Sequence, residues 1–184
     1  MSIRDVWEKR VRDHELFKLD FLIPGPPELR IVLMSPEINA LVAPPWPENE
    51  IGERCARLRG ELENILAGKP LVVCWTPRKG REHHQIGRLE PIEDNLFDIR
   101  SVDPKPGLRI PFHFAEKDVL VAHLCSPRSA SVRWLQRVPL LGARSKAWRN
   151  AIRDAKSQWS ILFPNFEPHA GNHINDYLSN AVLD

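Results

Sequence analysis

The residues best suited to chemistry lie in two short stretches of alternating character. In Leu108–Phe114, strand periodicity sends Leu108, Ile110, Phe112 and Phe114 to one face and Arg109, Pro111 and His113 to the other. In Leu96–Ser101, Phe97 and Ile99 join the apolar face, which leaves Asp98 and Arg100 facing the same way as Arg109 and His113. Two guanidinium groups on one sheet face can grip a phosphate bidentately and stabilise charge that develops on it. A histidine beside them could move a proton near neutral pH. Together these groups suit RNA cleavage by attack of a ribose 2′-hydroxyl on the adjacent phosphate. His123 is a second candidate whose side depends on the hairpin between the strands: a loop of two or four residues sends it to the core, a loop of three puts it beside Arg109. Arg128 follows that strand, and Trp134 could stack on a base. The competing reading is an ordinary exposed face paired by Asp98–Arg100 or Asp98–Arg109 contacts.

The elements that must hold these residues can be read from periodicity and breakers. Residues 3–18 have helical spacing and end before Pro24-Gly25-Pro26-Pro27. A short strand is expected at 29–34. After Pro44-Pro45-Trp46-Pro47, the spacing of Ile51, Cys55, Leu58, Leu62, Ile65 and Leu66 predicts a helix over 49–67, closed by Gly68. The period then becomes two, with strands at 71–76, 96–101, 108–114 and 119–124; short connectors make the last three an antiparallel meander. Pro111 would remove one ladder hydrogen bond, which suggests a bulge or an edge. A helix over about 144–162 carries Trp148, Ile152, Ala155, Trp159 and Leu162 on one stripe, with Arg149 and Arg153 largely off it. A short helix is expected within 172–182.

The 184 residues suit one domain with appendages, and 42% hydrophobic with 27% charged residues is ordinary globular usage. A net charge of +2 does not diagnose nucleic-acid binding, but its distribution is uneven. Between Arg128 and Lys156 there are eight basic residues against the single acid Asp154, whereas acids gather around 48–63 and 90–98. A polyanion such as RNA, or an acidic partner, fits that basic segment, with Arg149 and Arg153 as RNA-binding candidates. No apolar run approaches the ~20 residues of a membrane span, no signal-peptide pattern begins the chain, and the expected location is cytoplasmic. Cys55, Cys74 and Cys125 are widely spaced and read as reduced thiols. His169 and His173 have helical metal-ligand spacing without further ligands nearby, and no phosphate loop, nucleophile elbow or dinucleotide fingerprint occurs, so no metal or cofactor is expected. His83 and His84, in a basic loop, read as solvated or as RNA contacts.

The order of the 49–67 helix, then Leu96-Phe97-Asp98-Ile99-Arg100-Ser101, Gly107-Leu108-Arg109-Ile110, Val119-Leu120-Val121-Ala122-His123-Leu124 and Ser126-Pro127-Arg128-Ser129, resembles the RelE/ParE/HigB-like toxin superfamily. The resemblance covers about half the chain. It implies an α+β fold, a small curved antiparallel sheet packed by helices, here with N- and C-terminal helical extensions. It implies ribosome-dependent mRNA cleavage, as in the RelE and HigB branches, and a cognate antitoxin as partner besides RNA or the ribosome; ParE-like members act on DNA gyrase instead. By position, Arg109 matches the phosphate-binding arginine of the third strand and Arg128 the arginine after the fourth. Trp134 stands where the RelE branch has a tyrosine, and His123 resembles a histidine of HigB-like members. Leu96 and Asp98 replace the second-strand lysines of the RelE branch, which removes a lysine-based proton transfer. On this basis residues 1–27 are a helical extension, 28–162 the α+β domain with an insertion at 69–87, and 163–184 a tail. The expected site is His113, His123, Arg109 and Arg128 for catalysis without a metal, with Arg100, Trp134, Arg149 and Arg153 on RNA. The alternative is a non-catalytic protein- or nucleic-acid-binding module on the same scaffold.

Overall fold

The computed structural model describes residues 1–77, 84–101, 108–123 and 146–183. Within them the chain forms α1 (Ile3–Arg12), β1 (Phe17–Lys18), β2 (Ile31–Met34), α2 (Pro36–Val42), α3 (Glu50–Leu66), β3 (Leu71–Cys74), β4 (Ile86–Arg88), β5 (Leu96–Ser101), β6 (Leu108–Glu116), β7 (Val119–Ala122), α4 (Lys146–Leu162), α5 (Ile174–Tyr177) and β8 (Ala181–Leu183). All eight strands join one sheet in the order β1-β2-β7-β6-β5-β4-β3-β8. The α+β class holds, but the sheet is neither small nor purely antiparallel: β2–β7, β3–β4 and β3–β8 are parallel pairs. The β5–β6–β7 meander at its centre is antiparallel, as its short connectors require.

Local chemistry explains the principal boundaries. Ser2 and Asp5 cap α1 reciprocally, and α1 stops at Arg12, short of the expected 18, because His14 takes a left-handed φ of 58° and the chain turns into β1. The Asn49 side chain receives the amides of Ile51 and Gly52 at the start of α3. At its end Gly68 adopts φ 68°, and its amide and that of Lys69 bond back to Ile65 and Asn64, a Schellman closure. The segments expected as extensions are woven into the sheet: β1 comes from the first 27 residues, β3 lies within the expected insertion at 69–87 and β4 spans its end, and β8 comes from the tail. The tail helix is one turn, Ile174–Tyr177.

The sheet is covered on both faces. On one, Val32, Phe97, Ile110, Phe112, Phe114 and Leu120 pack against α2, α3 and α5. On the other, Leu33, Val119 and Val121 meet Val6 and Trp7 of α1 and Trp159 and Leu162 of α4, while Leu96 lies in a satellite cluster with Trp148 and Ala155. The face that carries Arg109 and His113 is therefore roofed by α4 rather than open to water. Among the described residues no helix is long and apolar enough to cross a membrane.

Candidate functional site

The central hairpin decides which groups share the roofed face. The turn at Lys117–Asp118 has two residues, with Asp118 at φ 62°, and alone it would place His123 opposite Phe112 on the apolar side. A bulge between Phe114 and Glu116 adds one residue to β6 and shifts the register, so that Ala122 pairs with Phe112 and the His123 amide bonds to the Pro111 carbonyl. His123 thereby joins His113 and Arg109. Pro111 itself sits in the interior of β6, paired with Asp98, rather than at an edge or at the bulge.

The two histidines are not available to solvent. Their rings meet edge to face at 5.2 Å, each also touches Trp159, and both residues are 1% exposed. Burial pushes the His113 imidazole down to about 2, with the nearby His123 and Lys156 charges adding to the effect, and burial alone pushes His123 down to about 3. Both are neutral at physiological pH. Nδ1 of His113 and both ring nitrogens of His123 have no hydrogen-bond partner among the described residues.

The arginines form a separate group at the other end of the face. Arg100 and Arg109 pair across β5 and β6, and each donates its Nε–H to Oδ2 of the wholly buried Asp98, at 2.9 and 2.5 Å. The two contacts offered as alternative pairings by the sequence are made at once. The guanidinium of Arg109 also lies over the Trp148 ring, 4.2 Å from its centre. Arg88, Arg100, Arg109 and Trp148, with Glu90, line a cleft of about 230 Å³.

A third group escaped the sequence reading. Gly87 on β4 pairs with Asp98, and the position a Cβ would occupy there lies 2.6 Å from Asp98 Oδ1, 3.0 Å from Arg100 Nη2 and 3.1 Å from His84 Nε2. Three polar side chains thus meet over the one residue that has no side chain. His84, expected in solvent, is 5% exposed. The signal for it was weak: a histidine three residues before a glycine, at the end of a sequence stretch rich in basic residues, has no periodicity to reveal its side.

Arg149 and Arg153 are exposed on α4, and Arg153 lies 3.6 Å from Asp154. Arg128 and Trp134 fall outside the described residues. No set of three metal-ligating side chains is close enough to hold an ion among the described residues, and Cys55 and Cys74 are free, buried thiols. No family model, curated protein or solved structure matches this chain.

Proposed function

We propose that this chain is an RNA-binding protein that grips a phosphodiester group in the cleft of Arg88, Arg100 and Arg109. The observation that carries the reading is the shared oxygen of Asp98. With both Nε–H groups tied to a buried carboxylate, the two guanidinium planes are held in place and retain terminal N–H groups for an anion, so little side-chain entropy is lost on binding. Trp148, buried beneath the Arg109 guanidinium, backs the cleft wall, and the exposed Arg149 and Arg153 on the same helix extend the positive potential. RNA is the polyanion preferred because the strand and arginine pattern resembles the RelE and HigB branches. The test is fluorescence anisotropy with a labelled single-stranded RNA: salt-sensitive binding that Arg100→Ala and Arg109→Ala each weaken supports the reading, and binding indifferent to both substitutions refutes it.

The meeting of His84, Asp98 and Arg100 over Gly87 favours a second reading, a toxin-like endoribonuclease. In it His84, which meets Asp98 and Arg100, moves the proton rather than His113 and His123, which burial keeps neutral down to about 2 and about 3; Asp98 orients the cluster, and Arg100 and Arg109 stabilise the phosphorane charge. Incubating translated messages with wild type and His84→Ala separates the two: fragments lost in the variant support cleavage, and intact messages with RNA still bound leave the binding module.

A further inference from the structure

A second cleft, about 280 Å³, lies farther along α4, between Lys156, Trp159, the turn at Glu93–Asn95 and the segment after α4. Its ligand can be read by subtracting the groups already engaged. Lys156 Nζ holds both oxygens of Asp94 at 2.8 Å. Asn95 Oδ1 accepts from the Tyr177 hydroxyl, Trp159 Nε1–H donates to the Phe166 carbonyl, and the Ser160 hydroxyl donates to the Lys156 carbonyl.

What remains are the exposed carboxylates of Glu93 and Glu167, neither with a partner among the described residues, and the imidazole of His113, which is 1% exposed with an unpartnered Nδ1. The His113 ring lines the cleft, is held neutral by burial and is fixed in place against Trp159 and His123, so the part of it that faces the cleft can accept a hydrogen bond from a donor there. Two anions and a neutral imidazole beside the indole of Trp159 complement a cation that donates hydrogen bonds and carries an apolar stem. An anion would meet both glutamates, and an uncharged apolar molecule would leave the polar groups unpaired.

We propose that this cleft binds a small organic ammonium compound, its charged nitrogen between Glu93 and Glu167 and directed at His113, its carbon chain against Trp159 and Pro168. The site is independent of the arginine cleft and does not rest on RNA binding. Isothermal titration calorimetry of the full chain with butylammonium tests it, with sodium butyrate and calcium chloride as comparisons. Saturable one-to-one binding of butylammonium is expected, absent for butyrate and weakened about tenfold or more in a Glu93→Gln/Glu167→Gln double variant. Both glutamates are exposed, so that variant keeps the wild-type circular dichroism spectrum and unfolding midpoint. No saturable butylammonium binding, unchanged binding by the double variant, or binding of calcium alone would each overturn the proposal.

Discussion

Arg100 and Arg109 face each other across neighbouring strands, and like charges so placed repel; here they are bound together by a single carboxylate oxygen, Asp98 Oδ2. The carboxylate is fully buried, while the arginine side chains remain 27% and 18% exposed. Replacing Asp98 by Asn keeps the shape and removes the charge that reconciles them. Because both arginines keep some water, the cost falls below the about 3–5 kcal/mol of a fully buried broken pair; roughly 2 kcal/mol is expected. Urea unfolding of Asp98→Asn at neutral pH measures it, and an unchanged midpoint would show that the pairing contributes no net stability.

Gly87 is the second test of the same cluster. A methyl group there would stand 2.6 Å from Asp98 Oδ1, inside van der Waals contact with a buried atom on the neighbouring strand. Asp98 or the β4 backbone must shift, which moves the anchor of both arginines. Gly87→Ala is expected to destabilise the fold by about 1–3 kcal/mol and to weaken RNA binding, even though alanine adds no charge. RNA affinity equal to wild type in the anisotropy assay would detach the cluster from the binding site.

The arginine cleft makes a quantitative statement about salt. Each phosphate contact removed from a single-stranded complex lowers the slope of log affinity against log salt by about 0.7. Arg100→Ala and Arg109→Ala should each reduce the slope by that amount if they hold one phosphate apiece, and the double variant should lose less than the sum if both grip the same one. Titrations at several salt concentrations distinguish these cases. Slopes identical to wild type would place the phosphate contacts elsewhere.

How much of this was legible depended on the range of the interaction. Alternation in Leu96–Ser101 and Leu108–Phe114 placed Asp98, Arg100, Arg109 and His113 on one face, because a strand's side chains alternate whatever its neighbours are. The side taken by His123 was not legible, since it turns on a bulge at Ala115 that no residue type announces. The parallel partners were not legible either: β2 beside β7 and β8 beside β3 pair segments about 90 and 110 residues apart in sequence, and nothing in β2 or β8 encodes the partner. The roof over the site came from the apolar stripe of α4, visible in Trp148, Ala155 and Trp159, but its docking onto a face that bears arginines and histidines ran against the expectation that polar groups mark an exposed surface.

The buried histidines set the acid response of the fold. An unfolded histidine takes up a proton near its ordinary value of 6.5, whereas His113 and His123 in the folded chain resist protonation until about 2 and about 3. Between these limits the unfolded state binds more protons, so stability is constant above about pH 6.5 and falls as the pH drops below it, by up to about 1.4 kcal/mol per pH unit for each histidine. The window from 6.5 to 5 lies above the ordinary carboxylate range and isolates the effect. Measuring unfolding free energy across it, the wild type should lose stability steeply, while a His113→Gln/His123→Gln double variant, which keeps hydrogen-bonding groups but cannot titrate there, should give a nearly flat line even if it is less stable throughout. Parallel lines for the two proteins would mean that both rings can be protonated in place, and that the contact of Trp159 with them does not keep them neutral.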